Sequence, residues 1–287
     1  MISKYLKKFI SRNPTKANYK FIMKDWVGLT DLSLCNEVLN TTRFVKNLQP
    51  IVLNVPVNKR VLVVAAHPDD DIFGAGGTMI ELRKRNSNVD VIYLIGQTNT
   101  GDSLPIKADQ LKICKELGVT PHFLDCRNGR IPFNEEQLIK SLRKLVGKTK
   151  PDLLFIPFLL DDHDDHRAAN HIFFNVLKDM DLTLEVWSYE LSGVLVPNVV
   201  INITGSVDRK KELLDMYVSE KSNRNFTHYC LSKNGANCRY IPSKRKEFAE
   251  TFFVVPVKEY LDLCNKYFSN SPNILYYNDY YKNNYSS

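Results

Sequence analysis

The sequence predicts an α/β fold: one domain in which a mostly parallel sheet carries helices on both faces. Three observations lead there. Short runs dominated by Val, Ile and Leu recur along the chain, as strands buried on both faces require. Segments with helical apolar spacing separate these runs, the rhythm of a parallel sheet covered by helices. The chain of 287 residues, 44% hydrophobic and 25% charged, is long enough to bury a sizeable core and ordinary in composition for a globular protein.

Taken in order, residues 1–58 read as an N-terminal extension. Its first twelve residues put Ile2, Tyr5, Leu6, Phe9 and Ile10 at helical spacing among Lys4, Lys7, Lys8 and Arg12. Such a helix can rest on an anionic membrane surface, although docking on the protein's own core is the preferred reading. A loop around Asn13–Pro14, a mixed segment and the Pro50 to Pro56 stretch complete the extension. From Arg60 the strand candidates are 60–66, 90–95 and 153–157, with weaker ones near 122–124, 184–190 and 199–203. Helices fit 76–86, 107–117, 135–146, 167–178 and 208–218; in 135–146, Leu138, Ile139, Leu142, Leu145 and Val146 form one stripe. No connection suggests a separate domain, so 59–287 is expected to be a single Rossmann-like three-layer domain. It closes in a Tyr- and Asn-rich tail after Phe268, expected to be surface-packed or frayed.

Composition narrows the function classes. The balance of 39 basic and 32 acidic side chains gives +7, spread along the chain. No arginine stripe interleaves with aromatics, so no nucleic-acid partner is expected. The six cysteines form no Cys-x-x-Cys pair and no secreted-scaffold ladder. With no long apolar run and no signal-peptide centre, the expectation is a cytoplasmic protein, peripheral to a membrane at most through residues 1–12. Oligomeric state is not readable.

Two clusters carry the chemistry. His67-Pro68-Asp69-Asp70-Asp71 follows the 60–66 run, and Asp161-Asp162-His163-Asp164-Asp165-His166 follows the 153–157 run. Charges at the tip of a buried strand cost several kcal/mol each to desolvate unless something pairs with them. A divalent cation would do so. In a parallel sheet, loops at the carboxyl ends of strands meet in one crevice, and both clusters hold that position. Two histidines and a carboxylate suit Zn2+, which lowers the pKa of a coordinated water from ~15.7 towards ~7. A neighbouring carboxylate can then act as general base. Spacing leaves open which of Asp69, Asp70 and Asp71 is ligand and which is base, and whether His163 or His166 binds the metal. The competing bland reading is a turn and a solvated loop whose acids cap the helix near Arg167.

Gly74-Ala75-Gly76-Gly77 mimics a dinucleotide loop, but position 79 is Met79 and the acids at 69–71 would repel a pyrophosphate. Close helix packing explains these glycines better. His122 and His171 read as structural, while His228 lies in a polar stretch that could border a pocket.

These residues resemble the LmbE-like, or PIG-L, family of zinc-dependent N-acetylglucosaminyl deacetylases. Ala66-His67-Pro68-Asp69-Asp70-Asp71 is similar to its Ala-His-Pro-Asp-Asp-Glu/Asp motif, and Asp161-x-His163-Asp164-Asp165-His166 to its Asp-x-His-Pro-Asp-His motif. The resemblance runs from about Arg60 to Glu250, taking in Lys210 to Ser219 and Ala249-Glu250-Thr251-Phe252. It implies His67, Asp70 and His166 as zinc ligands, Asp69 as general base, His163 as oxyanion partner and amine proton donor, and Asp165 as the orienter of an imidazole. The implied reaction hydrolyses an acetamide on an amino sugar or glycoconjugate, releasing acetate and a free amine. The chain departs from the family pattern at Lys107 and Gln110, at Asn128, at Ser219-Glu220 and at Asp164. Lys107 and Asn128 are therefore candidate substrate contacts, and Gln110 is grouped with them. Two other functions compete: a zinc amidase for a different amide metabolite, and a non-catalytic binding protein on the same fold.

Overall fold

The computed structural model describes residues 50–98, 101–193, 195–218 and 225–270. The 1–12 helix, most of the 1–58 extension, Ser219-Glu220 and the tail from 271 onward lie outside the described residues. Within them, the strands are β1 (Ile51–Leu53), β2 (Arg60–Ala65), β3 (Asn88–Gln97), β4 (Thr120–Arg127), β5 (Leu153–Pro157), β6 (Glu185–Tyr189), β7 (Val199–Asn202) and β8 (Ala249–Pro256). The α-helices are α1 (Asp70–Lys84), α2 (Ile106–Leu117), α3 (Glu136–Thr149), α4 (Asp164–Leu177), α5 (Val207–Asp215), α6 (Phe226–Asn237) and α7 (Val257–Asn270).

All eight strands join one sheet in the order β1-β7-β8-β6-β5-β2-β3-β4. β8 runs antiparallel to β6 and β7, and every other pairing is parallel. Successive β2 residues face opposite sides, as a pleated strand must. Leu62 and Val64 pack with Leu142 and Val146 of α3, Ile172 and Phe173 of α4, and Leu263 and Cys264 of α7. Val61 and Val63 pack with Ile72 and Met79 of α1, Ile113 and Leu117 of α2, Leu213 of α5 and Cys230 of α6. The three-layer α/β class expected from the sequence is the architecture found.

The chain leaves β2 toward β3 and β4 on one side, then returns to β5 and β6 on the other. The sheet order therefore reverses between β2 and β5, and a crevice opens at their carboxyl ends. Both acid and histidine clusters sit there.

Three features differ from the expectations. Ile51–Leu53, placed in the extension, is an edge strand paired with Val199–Ile201 of β7. α1 and α4 begin at Asp70 and Asp164 rather than near 76 and 167, because acids of both clusters form their first turns, where the positive end of the helix dipole favours them. The region after 225 adds α6, β8 and α7, none of which was expected.

The glycines of α1 serve packing. A Cβ on Gly74 would lie 2.1 Å from the Tyr189 ring, and one on Gly77 would lie 2.8 Å from Ile203. No helix among the described residues is long and apolar enough to cross a membrane.

Candidate active site

β2 ends one residue short of Ala66, and the chain turns tightly through His67-Pro68-Asp69. The His67 carbonyl accepts from the Asp69 amide at 3.0 Å, while Asp70 Oδ2 accepts from the His67 amide at 2.8 Å. Asp69 is left at φ 157°, ψ −25°, a backbone region L-residues rarely adopt. On the neighbouring strand, β5 leads through Phe158–Leu160 to Asp161, and His163 caps α4 by accepting the Asp165 amide on Nδ1 at 3.1 Å. His166 follows in the first turn.

These turns bring the imidazoles together. Ring centroids of His67 and His163 are 4.9 Å apart, those of His163 and His166 are 4.8 Å apart, and those of His67 and His166 are 5.6 Å apart. Asp70 lies between two of them, with Oδ2 3.5 Å from His67 Nδ1 and Oδ1 3.3 Å from His166 Nε2. The outer nitrogens are also held. His166 Nδ1 is 2.7 Å from Asp161 Oδ1, and His67 Nε2 is 3.3 Å from Asp165 Oδ2 and 3.2 Å from Asn128 Oδ1.

Charge balance in this cluster is unusual. Burial by itself would lower the His67 and His166 pKa values, yet the facing carboxylates raise His67 well above 6.5 and His166 to about 10. Burial likewise opposes ionisation of Asp70 and Asp161, but the imidazoles hold Asp70 far below the carboxylate range and Asp161 at about 2. His163 goes the other way, pushed down to about 4 by burial and by the neighbouring histidines. The buried acids therefore demand positive charge.

A divalent ion fits this demand. Two imidazoles and one carboxylate converge, each imidazole has a carboxylate on its far nitrogen as metal-binding histidines do, and Asp165 Oδ1 is buried without a partner. Ring nitrogens of His67, His163 and His166, one from each, also lie within 4.8 Å of one another, a second geometrically feasible ligand set.

A cavity of about 670 Å³ opens beside the cluster. Asp69, Asp70 and His166 form its polar floor, Phe73, Leu191 and Ser192 its flank, and Asn225, Phe226, His228 and Tyr229 from the start of α6 its far wall.

With this geometry, the kinship of the chain can be stated. Residues 62–177 match the PIG-L family model, described as GlcNAc-PI de-N-acetylase. The match covers less than half of the chain. It runs from β2 to the end of α4 and contains both clusters. Diacetylchitobiose deacetylase of Thermococcus kodakarensis is 30% identical over 137 residues, which are 42% of this chain and 50% of that protein. The chain thus spans about half the length of the curated relative it matches. In fold, the chain is similar to N,N'-diacetylchitobiose deacetylase of Pyrococcus horikoshii, with a TM-score of 0.58 at 19% identity over 70% of this chain and 85% of the other. It is equally similar to GalB, the 4-carboxy-2-hydroxymuconate hydratase of Pseudomonas putida, at 0.56 and 18%, over 68% and 95%. The matched segment stops before Leu191, so the flank beyond Phe73 and the far wall lie outside it.

The predicted site residues fall into two groups. His67, Asp69, Asp70, His163, Asp165 and His166 converge on the crevice, and Asn128 reaches it through His67 while the Gly129 amide donates to Asp165 Oδ2 at 3.0 Å. Lys107 does not join them. Its Nζ lies 2.5 Å from Asp125 and 4.7 Å above the Phe123 ring, at the α2–β4 edge and away from the cavity lining. Gln110, grouped with it as a sugar contact, is fully buried beside Asp71, Tyr93 and Tyr217, which corrects that expectation. Burial pushes Asp71 itself up to about 7 within this internal network.

Sequence reasoning gave Asp161 no role, yet it accepts from the His163, Ser192 and Gly193 amides at 3.0, 3.1 and 3.0 Å as well as meeting His166. It ties the His166 imidazole to the cavity flank at Ser192. His228, expected to border a pocket, does line the cavity, but on a helix and not in a loop; Asn225 three residues before it is a helix-start signal, and its side chain accepts the His228 amide at 2.9 Å.

Proposed function

We propose that the protein is a metal-dependent N-deacetylase, zinc being the metal its donors suit, acting on an N-acetylated amino sugar or glycoconjugate. The observation that carries this reading is the convergence of His67, Asp70 and His166 at the β2/β5 switch point, with Asp165 and Asp161 behind the two imidazoles. The family match over both clusters and the curated relative that is named as a diacetylchitobiose deacetylase support it. An ion held there supplies an acidified water and a positive charge for the amide oxygen.

The remaining work falls to the chain. Asp69 lines the cavity beside Asp70 and His166, where a general base must stand to take a proton from the attacking water. Because His163 accepts the Asp165 amide on Nδ1, its proton resides on Nε2, and a neutral Nε2–H is a donor for a developing oxyanion. Having taken that proton, Asp69 is placed beside the same cavity floor to carry it to the departing amine. The same Nδ1 contact favours Asp70 over His163 as the third ligand, since coordination through Nε2 would move the proton to Nδ1 and break the cap.

Acetate release by the zinc-loaded protein over N-acetylated sugars, nucleotide sugars and glycolipids tests the proposal. Acetate from at least one amino sugar is expected, with zinc and turnover both lost in His67→Ala and zinc retained in His163→Ala. Release of a different acid from another amide would favour the amidase reading. Zinc binding without turnover on any amide would favour a binding protein.

A further inference from the structure

Behind the cavity lies a charge pair that the chemistry above does not use. Lys210 Nζ and Glu250 Oε1 are 2.7 Å apart, and both side chains are completely buried. A buried ion pair is weak support for stability, because desolvation offsets most of its attraction, so its attachment points matter more than its existence. Those points lie on α1. Lys210 Nζ donates to the Phe73 carbonyl at 2.9 Å, and the two Glu250 oxygens accept from the Gly77 and Thr78 amides at 2.8 Å each. Phe73 and Gly77 are partners four apart in the helix, so the pair grips one rung from both sides. One turn earlier the Phe73 amide donates to the Asp69 carbonyl at 2.9 Å, which links the gripped rung to the turn bearing Asp69 and Asp70. Asn234 of α6 completes the grip, accepting from Lys210 Nζ at 2.9 Å and donating to the Ala249 carbonyl at 3.2 Å.

We infer that Lys210 and Glu250 are positioning residues that clamp α1 at Phe73, Gly77 and Thr78 and so hold Asp69 and Asp70 in register with His166. The inference rests on the metal site proposed above. The pair touches neither the cavity floor nor the imidazoles and acts only through the helix. It also ties that helix to α5, α6 and β8, all outside the matched segment, so metal geometry depends on the chain's second half.

The full chain is compared with Glu250→Gln, Lys210→Met and the double variant Lys210→Met/Glu250→Gln. The double variant leaves no unpaired buried charge, so it keeps the test open where a single variant fails to fold. Zinc affinity is measured by chelator competition, amide exchange over residues 69–78 against β2 and β5, and kcat and KM on the substrate found by acetate release. In a folded double variant the expectation is faster exchange confined to 69–78, zinc affinity weaker by about 10-fold or more, and a fall in kcat with KM nearly unchanged. Unchanged exchange at 69–78, or exchange rising uniformly with loss of Tm, overturns the clamp. A parent chain that binds no zinc and releases no acetate defeats the proposed function instead, and the exchange measurement still decides the clamp.

Discussion

Asp161 and Asp69 show how differently two carboxylates in neighbouring turns can serve one site. Asp161 is 1% exposed and bound on both oxygens, so it fixes the ring's orientation: with Nδ1–H of His166 donating to it, Nε2 is the nitrogen turned toward Asp70. Asp161→Asn replaces an acceptor with an amide of nearly the same shape, and zinc affinity is expected to fall about 10- to 100-fold, measured by chelator competition. Undiminished affinity would leave Asp161 as a loop anchor for Ser192 and Gly193 alone. Asp69 lines the cavity. Asp69→Asn is expected to keep its zinc and lose about 10²- to 10⁴-fold in acetate release, and a variant with undiminished turnover would remove Asp69 from the role of base. At this scale the sequence was informative about residue type and silent about partners. The acids and histidines were legible because they sit at strand tips; that Asp161 faces His166 while Gln110 turns inward to Asp71 depends on contacts 5 and 39 residues apart, and no spacing rule encodes the second.

At the scale of elements, α1 is the piece on which the site is built, and its glycines set how close it lies to the sheet. Replacing a helical glycine with alanine ordinarily stabilises by about 1 kcal/mol. At Gly74 the new methyl would meet Cδ2 of Tyr189 at 2.1 Å, and that ring cannot swing aside because its hydroxyl donates to the Val64 carbonyl at 2.6 Å. Gly74→Ala is therefore expected to lower stability by about 1–3 kcal/mol in urea unfolding despite its better helix propensity, whereas a gain would mean that α1 is free to shift. Element identity was legible where periodicity was strong: β2, β3 and β5 are near-continuous apolar runs. β8 is such a run too, Phe252 to Val255 among it, but its antiparallel placement between β6 and β7 is set by the sheet and not by the run. α1 and α4 were placed too late because their first turns are acidic, and acids there read equally well as loop or as helix start.

Over the whole molecule the two faces of the sheet divide the labour: α1 and α6 line the cavity, while α3, α4 and α7 form a layer that adds to its lining only through His166 in the first turn of α4. His171 of α4 holds that second layer together, stacked on Phe133 at 4.3 Å and on Phe268 of α7 at 4.2 Å and 8°. Its Nδ1 is buried without a partner, and burial, assisted by Lys178, pushes its pKa from 6.5 down to about 4. The sign of the pH effect follows. Between about 4 and 6.5 the unfolded chain binds a proton at His171 that the folded chain refuses, so this contribution is complete above about 6.5 and is lost as pH falls toward 4. His171→Phe keeps a ring between the two phenylalanines and removes the titration. Its unfolding midpoint in urea is expected to decline less than the parent's between pH 7 and pH 5, the carboxylates contributing alike to both proteins. Equal declines would mean that His171 is protonated in the fold, and the stack would then join the two helices through a charged ring, with acid leaving that contact intact.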